Sequence, residues 1–196
     1  MKVILASKSP RRIALFKNIN LDFNSINPKI NEKKFSFIKN PNRYCMKLAE
    51  MKASTIHLKY ANNLVVGADT IVYLNKSILE KPKNKQEAFS TLKKLSDKTH
   101  SVYTGVSIYT KNTKLNFFDK TSVTFYPLSN NTINYYINNY NPFDKAGAYG
   151  IQDWSKIFIK KINGCYYNVV GFPVAKFYKI VCQNFEINNI LKSIHE

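Results

Sequence analysis

The chain has 196 residues, 44% of them hydrophobic and 14% aromatic, enough to bury a sizeable core and too apolar for an intrinsically disordered protein. Its 30 basic residues against 12 acidic ones leave a formal charge of +18, a balance that suits a polyanionic partner, either nucleic acid or a phosphorylated small molecule. The lysines are scattered and form no single block, so a compositional bias that spreads lysine over every surface explains the charge as well.

In chain order, Val3-Ile4-Leu5-Ala6 reads as a short strand that runs into Ser7-Lys8-Ser9-Pro10-Arg11-Arg12. Ser9 suits a helix N-cap and Pro10 the first helical position, so a helix is predicted from Ser9 to about Asn18 with its free backbone N–H groups facing outward. Arg11 and Arg12 fall in its first turn, where the helix dipole disfavours a cation by about 0.3–1 kcal/mol, unless a phosphate-like ligand sits there too. A solvated first turn is the plainer alternative. A short strand near Phe23–Ile26 and a polar stretch containing Glu32 follow. A second helix is predicted over Asn42 to Leu58, with Cys45, Leu48, Ala49, Ala53 and Ile56 on one stripe and Lys52 within it. Lys52 therefore faces inward, either snorkelling past the core edge or reaching a buried anion.

Leu64-Val65-Val66-Gly67-Ala68 reads as a central strand buried on both faces, with Asp69-Thr70 at its carboxyl end. Ile71–Leu74 and Ile78–Leu79 flank a predicted hairpin turn at Asn75-Lys76-Ser77, and Lys81-Pro82 follows. A third helix is expected from about Asn84 to Leu95, long strands over Ser101–Tyr109 and Leu115–Phe125, and a fourth helix over Ser129–Asn139. Asp144 to Gln152 carries two glycines among small residues, as a loop does where backbone must approach a ligand or a strand closely. Ile157–Ile162, Asn163-Gly164 and Tyr166–Val170 predict a hairpin, and Gly171-Phe172-Pro173 should open a terminal helix or helix pair.

Cys45, Cys165 and Cys182 are odd in number and share no metal-ligand or redox spacing, so packing roles in a reduced, intracellular chain are expected. The N-terminal apolar run is too short for a signal peptide or a membrane span, which implies a soluble, cytoplasmic protein without a membrane partner. No GxxxxGK[ST] or GxGxxG motif supports a P-loop ATPase or a dinucleotide-binding fold. Several cations (Arg11, Arg12, Lys52, Lys81, Lys145) and acids (Glu32, Asp69, Asp144) lie near strand ends and loops, where α/β proteins bind ligands. That set could hold a triphosphate and a divalent metal, with one carboxylate taking a proton from an attacking water. Taken singly, Asp69-Thr70 could equally be a turn cap and Glu32 a solvated loop carboxylate.

Leu5-Ala6-Ser7-Lys8-Ser9-Pro10-Arg11-Arg12, Gly67-Ala68-Asp69-Thr70, Lys81-Pro82, Thr104-Gly105-Val106, Asp144 through Gln152, Lys160-Lys161-Ile162-Asn163-Gly164 and Gly171-Phe172-Pro173 occur in this order. In this the chain closely resembles the Maf family, the septum-formation-inhibitor-like nucleotide pyrophosphatases, over residues 1–196 as a single domain. The resemblance implies an α/β fold on a long bent mixed sheet flanked by helices, two-lobed with a central cleft, as in inosine triphosphatase. It also implies hydrolysis of nucleoside triphosphates to the monophosphate and pyrophosphate, with Mg²⁺ or Mn²⁺ as cofactor, and it suggests a homodimer. By the same resemblance, Asp69 accepts the proton of the nucleophilic water and binds metal with Glu32, while Ser7, Arg12, Lys52 and Lys81 bind phosphates. Arg11, Thr70 and Gln152 have the form of the dTTP/UTP branch; a 7-methyl-GTP branch typically carries a non-arginine, a Gln and a Glu there. A neutral Gln152 amide can both donate to and accept from an uncharged pyrimidine edge.

The chain departs from the family pattern at Asp153-Trp154-Ser155, where glycine is commoner, at Phe172, where leucine is usual, and at Asn31, where a second acid often precedes Glu32. Rival readings are a basic nucleic-acid-binding protein that stacks bases on its many Tyr and Phe side chains, and a division regulator whose hydrolysis is incidental. Most of those aromatics fall at core periods, so no specific nucleic-acid partner is expected.

Overall fold

The computed structural model describes residues 2–32, 35 and 40–185. The elements are β1 (Val3–Ala6), α1 (Pro10–Asn18), β2 (Phe23–Ser25), α2 (Pro41–His57), β3 (Leu64–Leu74), β4 (Ser77–Leu79), α3 (Lys85–Leu95), β5 (Thr99–Tyr109), β6 (Lys114–Phe125), α4 (Asn130–Tyr140), β7 (Ile159–Asn163), α5 (Tyr166–Val170) and α6 (Val174–Asn184). The strands form one sheet in the order β2-β1-β3-β5-β6-β7, with β4 paired to β3. β1 lies parallel to both β2 and β3, whereas β3/β4 and β6/β7 are antiparallel. The sheet is therefore mixed, as expected of the α/β class, and no helix among the described residues is long and apolar enough to cross a membrane.

The chain divides into two compact units, Met1–Asp69 with Thr104–Asp119 and Gly171–Glu196, and Thr70–Tyr103 with Lys120–Val170. In the first, the all-apolar β1 and the start of β3 are buried because parallel strands covered by helices have no solvated face. α2 lies on the sheet at backbone distance. A Cβ on Gly67 would meet Ala49 O at 2.3 Å, and one on Gly105 would meet the Cys45 carbonyl carbon and Met46 N at 2.4 Å, so glycine is required where helix and strand touch. Beside them Phe16 packs its ring against Phe23, Phe172 and Phe177 at centroid separations of 5.2, 4.8 and 5.6 Å, so Phe172 fills the core. In the second unit a core gathers Val72, Leu92, Val102, Val123, Phe125, Ile133, Tyr136 and Phe158.

Three expectations need correction. β3 runs on to Leu74, so Asp69 sits within the strand and not at its end; its charge is balanced there by Lys52 Nζ, which lets an acid occupy a buried strand position. Tyr166–Val170 forms α5 and not the second arm of a hairpin. β7 pairs instead with β6, and the buried Asn168 donates from Nδ2 to Val102 O (3.1 Å) and Thr121 Oγ1 (3.0 Å), contacts that anchor the helical turn. Burial of Asn168 and Val170 two residues apart mimics a strand pattern, and tertiary anchoring overrides it. Finally, all three cysteines are free, but Cys182 is exposed, so it is not a packing residue. Any second helix of a terminal pair would lie past Phe185, outside the described residues.

Candidate active site

Of the chain's 30 basic and 12 acidic residues, only Arg12, Lys52 and Asp69 are buried among the described residues. Burying a charge is costly unless it is paired, and all three belong to one cluster in the first unit.

α2 begins at Pro41, behind the Asn40 cap whose side chain accepts from Arg43 N, and turns its apolar stripe to the sheet. Lys52 is carried inward on that stripe. Its Nζ lies 2.5 Å from Asp69 Oδ1 on β3 and 2.8 Å from Glu32 Oε1. The Asp69 and Lys52 side chains are 11% and 10% exposed, the Glu32 side chain 47%. Lys52 thus reaches an anion and does not snorkel.

Arg12 enters from the first turn of α1. Its Nε donates to Gly171 O at 2.8 Å, a carbonyl supplied by the backbone just before α6. Burial lowers the pKa of the Arg12 guanidinium; Asp69 opposes this, Arg11 reinforces it and Glu32 opposes it. The guanidinium stays charged regardless. Arg11 is half-buried. Ser9 holds the N-cap position with Pro10 behind it, as predicted, but its side chain makes no cap bond. Ser7, buried, does part of that work: its Oγ accepts from Ser9 N at 3.1 Å. Ser7 O in turn accepts from Ser25 Oγ at 2.5 Å. The loop between β1 and α1 is thereby tied to the end of β2.

Thr70, Lys81 and Gln152 belong to the second unit. Thr70 follows Asp69 along β3 and is half-buried, while Lys81 and Gln152 are exposed. Lys81 lies just past β4, between Glu80, whose carbonyl accepts weakly from Gly147 N at 3.4 Å, and the buried Pro82. Gly147 has φ +70°, and a Cβ there would meet the Val72 side chain at 2.9 Å, so the glycine of the predicted site loop does allow close approach to a strand. Lys145 pairs with Asp144 at 2.7 Å.

Two participants escaped the sequence reading. Gly171 serves through its carbonyl, which carries no residue signature. Cys45 stands near enough to Asp69 that burial first, and the carboxylate second, push its thiol up to about 12; its place on the inner stripe of α2 was the available signal.

The implied divalent metal can be tested against this donor set. Two carboxylate oxygens, from Glu32 and Asp69, already converge on one positive centre, the Lys52 ammonium. Hard oxygen ligands of this kind suit Mg²⁺ or Mn²⁺. Among the described residues no group of three or more His, Cys, Asp or Glu could hold a metal. An ion here would therefore take two protein carboxylates and complete its shell with substrate phosphate and water, the usual habit of Mg²⁺. The residues fit.

A mixed α/β protein that buries a Lys–Asp pair beside an arginine concentrates its buried charge at one place, a cluster whose cations suit an anionic ligand. The Maf-like protein family model matches residues 2–184, and the chain belongs to the Maf family. The dTTP/UTP pyrophosphatase of Thermosipho melanesiensis is 46% identical over 92% of this chain and 97% of its own length. That of Carboxydothermus hydrogenoformans is 43% identical over 91% of this chain and 96% of its own. Among solved structures, the Ham1 protein of Staphylococcus aureus is 14% identical, covering 64% of this chain and 72% of its own with a TM-score of 0.45.

Proposed function

We propose that the chain is a nucleoside triphosphate pyrophosphatase that hydrolyses dTTP and UTP to the monophosphate and pyrophosphate, a house-cleaning reaction on the nucleotide pool. Water attacks the α-phosphorus and passes its proton to the Asp69 carboxylate. The bond from that phosphorus to the oxygen bridging to the β-phosphate breaks, and pyrophosphate leaves with that oxygen. Glu32 and Asp69 would hold a Mg²⁺ or Mn²⁺ ion, which supplies Lewis-acid stabilisation of the developing phosphate charge. Arg12, its Nε held on Gly171 O, binds phosphate oxygens through its guanidinium, whose planar fork is well shaped for them. Lys52 positions Asp69 and neutralises phosphate charge beside it. Ser7, in the β1–α1 loop, and Lys81 are assigned to the phosphates, and Arg11, Thr70 and Gln152 to the choice of base.

The observation that carries this reading is the burial of Arg12, Lys52 and Asp69 together, when every other described charge stays at least partly in water. The dTTP/UTP pyrophosphatases that match most of its length support the substrate class. The test is pyrophosphate release from a panel of nucleoside triphosphates, with and without EDTA. Pyrimidine triphosphates turning over fastest, and only with metal, is the expected result. Equal turnover of 7-methyl-GTP or a purine would overturn the substrate assignment.

A further inference from the structure

Asp153 directly follows Gln152, and its surroundings explain what its side chain does there. The backbone from Gly150 to Ser155 folds into a turn closed by Asp153 N donating to Gly150 O at 3.0 Å. Asp153 then caps the short 3₁₀ helix Trp154–Phe158, its Oδ1 accepting from Ser155 N at 3.0 Å. Ser155 Oγ lies 2.7 Å from both Asp153 Oδ1 and Gly150 O, to either of which it can donate a hydrogen bond, and it accepts from Gly150 N at 3.2 Å. From the core side, Tyr136 OH donates to the same carboxylate at 3.1 Å, and Lys145 Nζ stands 3.7 Å from Oδ2.

Packing tightens the turn further. Trp154 stacks at 15° to the rings of Tyr136 and Tyr140 and meets Phe158 edge-on. A Cβ on Gly150 would stand 2.8 Å from Asp153 Oδ2 and Lys145 Cε, so both side chains lie close over the turn. Ile151 and Ser155 are buried, and Gly150, Asp153 and Trp154 partly so; Gln152 is the one exposed residue of the six. The network holds the backbone on both sides of that amide. A neutral amide discriminates between bases only if its donor and acceptor are held in place beforehand.

We infer that Asp153 is a positioning residue: by bracing the Gly150–Ser155 turn it fixes Gln152 and so sets the preference for pyrimidine over purine nucleotides. The inference rests on the proposed function, with Gln152 as the base contact.

Trp154 is the chain's only tryptophan, so its fluorescence reports on this turn alone. The experiment measures kcat and KM for dTTP, UTP, dATP and GTP, together with acrylamide quenching of Trp154. It compares the wild type with Asp153→Ala, Gln152→Ala and Tyr136→Phe; the last keeps the stacked ring and removes only the hydroxyl. Asp153→Ala should lower the pyrimidine-to-purine ratio of kcat/KM at least about fivefold, chiefly through KM, and make Trp154 easier to quench. Tyr136→Phe should move both readouts the same way by about twofold, and it carries the test should the alanine variant fail to fold. An unchanged ratio in folded Asp153→Ala or Tyr136→Phe, whatever Trp154 does, overturns the inference. An unchanged ratio in Gln152→Ala removes Gln152 as the base contact and the inference with it. A wild type that releases no pyrophosphate from any triphosphate sinks the pyrophosphatase reading itself, a distinct failure.

Discussion

Replacing Asp69 with Asn separates its proposed chemistry from its structural role. Asparagine keeps the shape and an Oδ1 that can still accept from Lys52, now 2.5 Å away, but it carries no charge and cannot take up a proton from water. Removing one partner of a buried ion pair costs about 3–5 kcal/mol when the other is stranded. Here the Lys52 ammonium keeps Glu32 at 2.8 Å, on a carboxylate half in water, so the loss should be nearer the cost of weakening a charged hydrogen bond, about 1–3 kcal/mol. That shifts the urea midpoint without unfolding the protein. Turnover should fall far more steeply, because loss of a positioned general base costs at least about 100-fold, or about 2.7 kcal/mol of barrier. The assay is pyrophosphate release from saturating dTTP and Mg²⁺, with far-UV circular dichroism to establish folding. A folded Asp69→Asn enzyme within about threefold of wild-type turnover, against the scale expected for a general base, would refute Asp69 as the proton acceptor.

The remaining predictions address the metal, the helix–sheet contact and pH. EDTA should abolish pyrophosphate release and added Mg²⁺ restore it, and Glu32→Gln should raise the Mg²⁺ concentration needed for half-maximal activity while leaving stability nearly intact, since Glu32 is half-exposed; an unchanged Mg²⁺ requirement would remove Glu32 from the metal. Gly105→Ala puts a methyl group 2.4 Å from the α2 backbone at Cys45 and Met46, a clash no rotamer relieves, and should cost about 3 kcal/mol, the upper end of overpacking, read as a lower urea midpoint. His100 is buried in the second core, where desolvation drives its pKa down to about 4 and its Nε2 meets Tyr149 OH at 2.8 Å. The unfolded chain titrates near 6.5 and so binds a proton that the folded state refuses. This group's share of stability is therefore full above pH 6.5 and declines as pH falls towards 4, reaching about 3 kcal/mol. Urea midpoints measured from pH 7.5 to 4.5 should fall, and His100→Phe should flatten the slope.

What was legible in the sequence is what local pattern controls. The stripe of α2 gave the inward aspect of Lys52, and the unbroken apolar run of β3 its burial. Ser9-Pro10 gave the start of α1, and Asn75-Lys76 the β3–β4 turn, where both residues have positive φ. What was not legible depends on partners distant in sequence. That Asp69 sits within β3 follows from Lys52, 17 positions earlier, and that Tyr166–Val170 coils into α5 follows from Asn168 finding Val102 O, 66 positions away. At the candidate site each charged residue alone was ambiguous between solvent and function. The joint burial of Arg12, Lys52 and Asp69 sets these three apart from the solvated charges, and burial is a property of the fold.

The overall charge of +18 is a poor guide to this chemistry, and the local balance is a better one. Around Asp69, three cations (Arg11, Arg12 and Lys52) face two carboxylates (Glu32 and Asp69), leaving one net positive charge. A triphosphate tail brings more negative charge than that surplus can neutralise, so a cluster that used only its side chains would strand phosphate charge in a partly desolvated place. A divalent cation held by the two carboxylates would close much of the gap. On the proposed reading, the acids, which on charge alone oppose phosphate binding, are the means by which the site would gain positive charge when substrate arrives. The same reasoning bears on Lys52: an ammonium bridging both carboxylates keeps a pair of acids from facing each other without a counter-charge, and on the proposed reading a metal and a phosphate would share that task once bound.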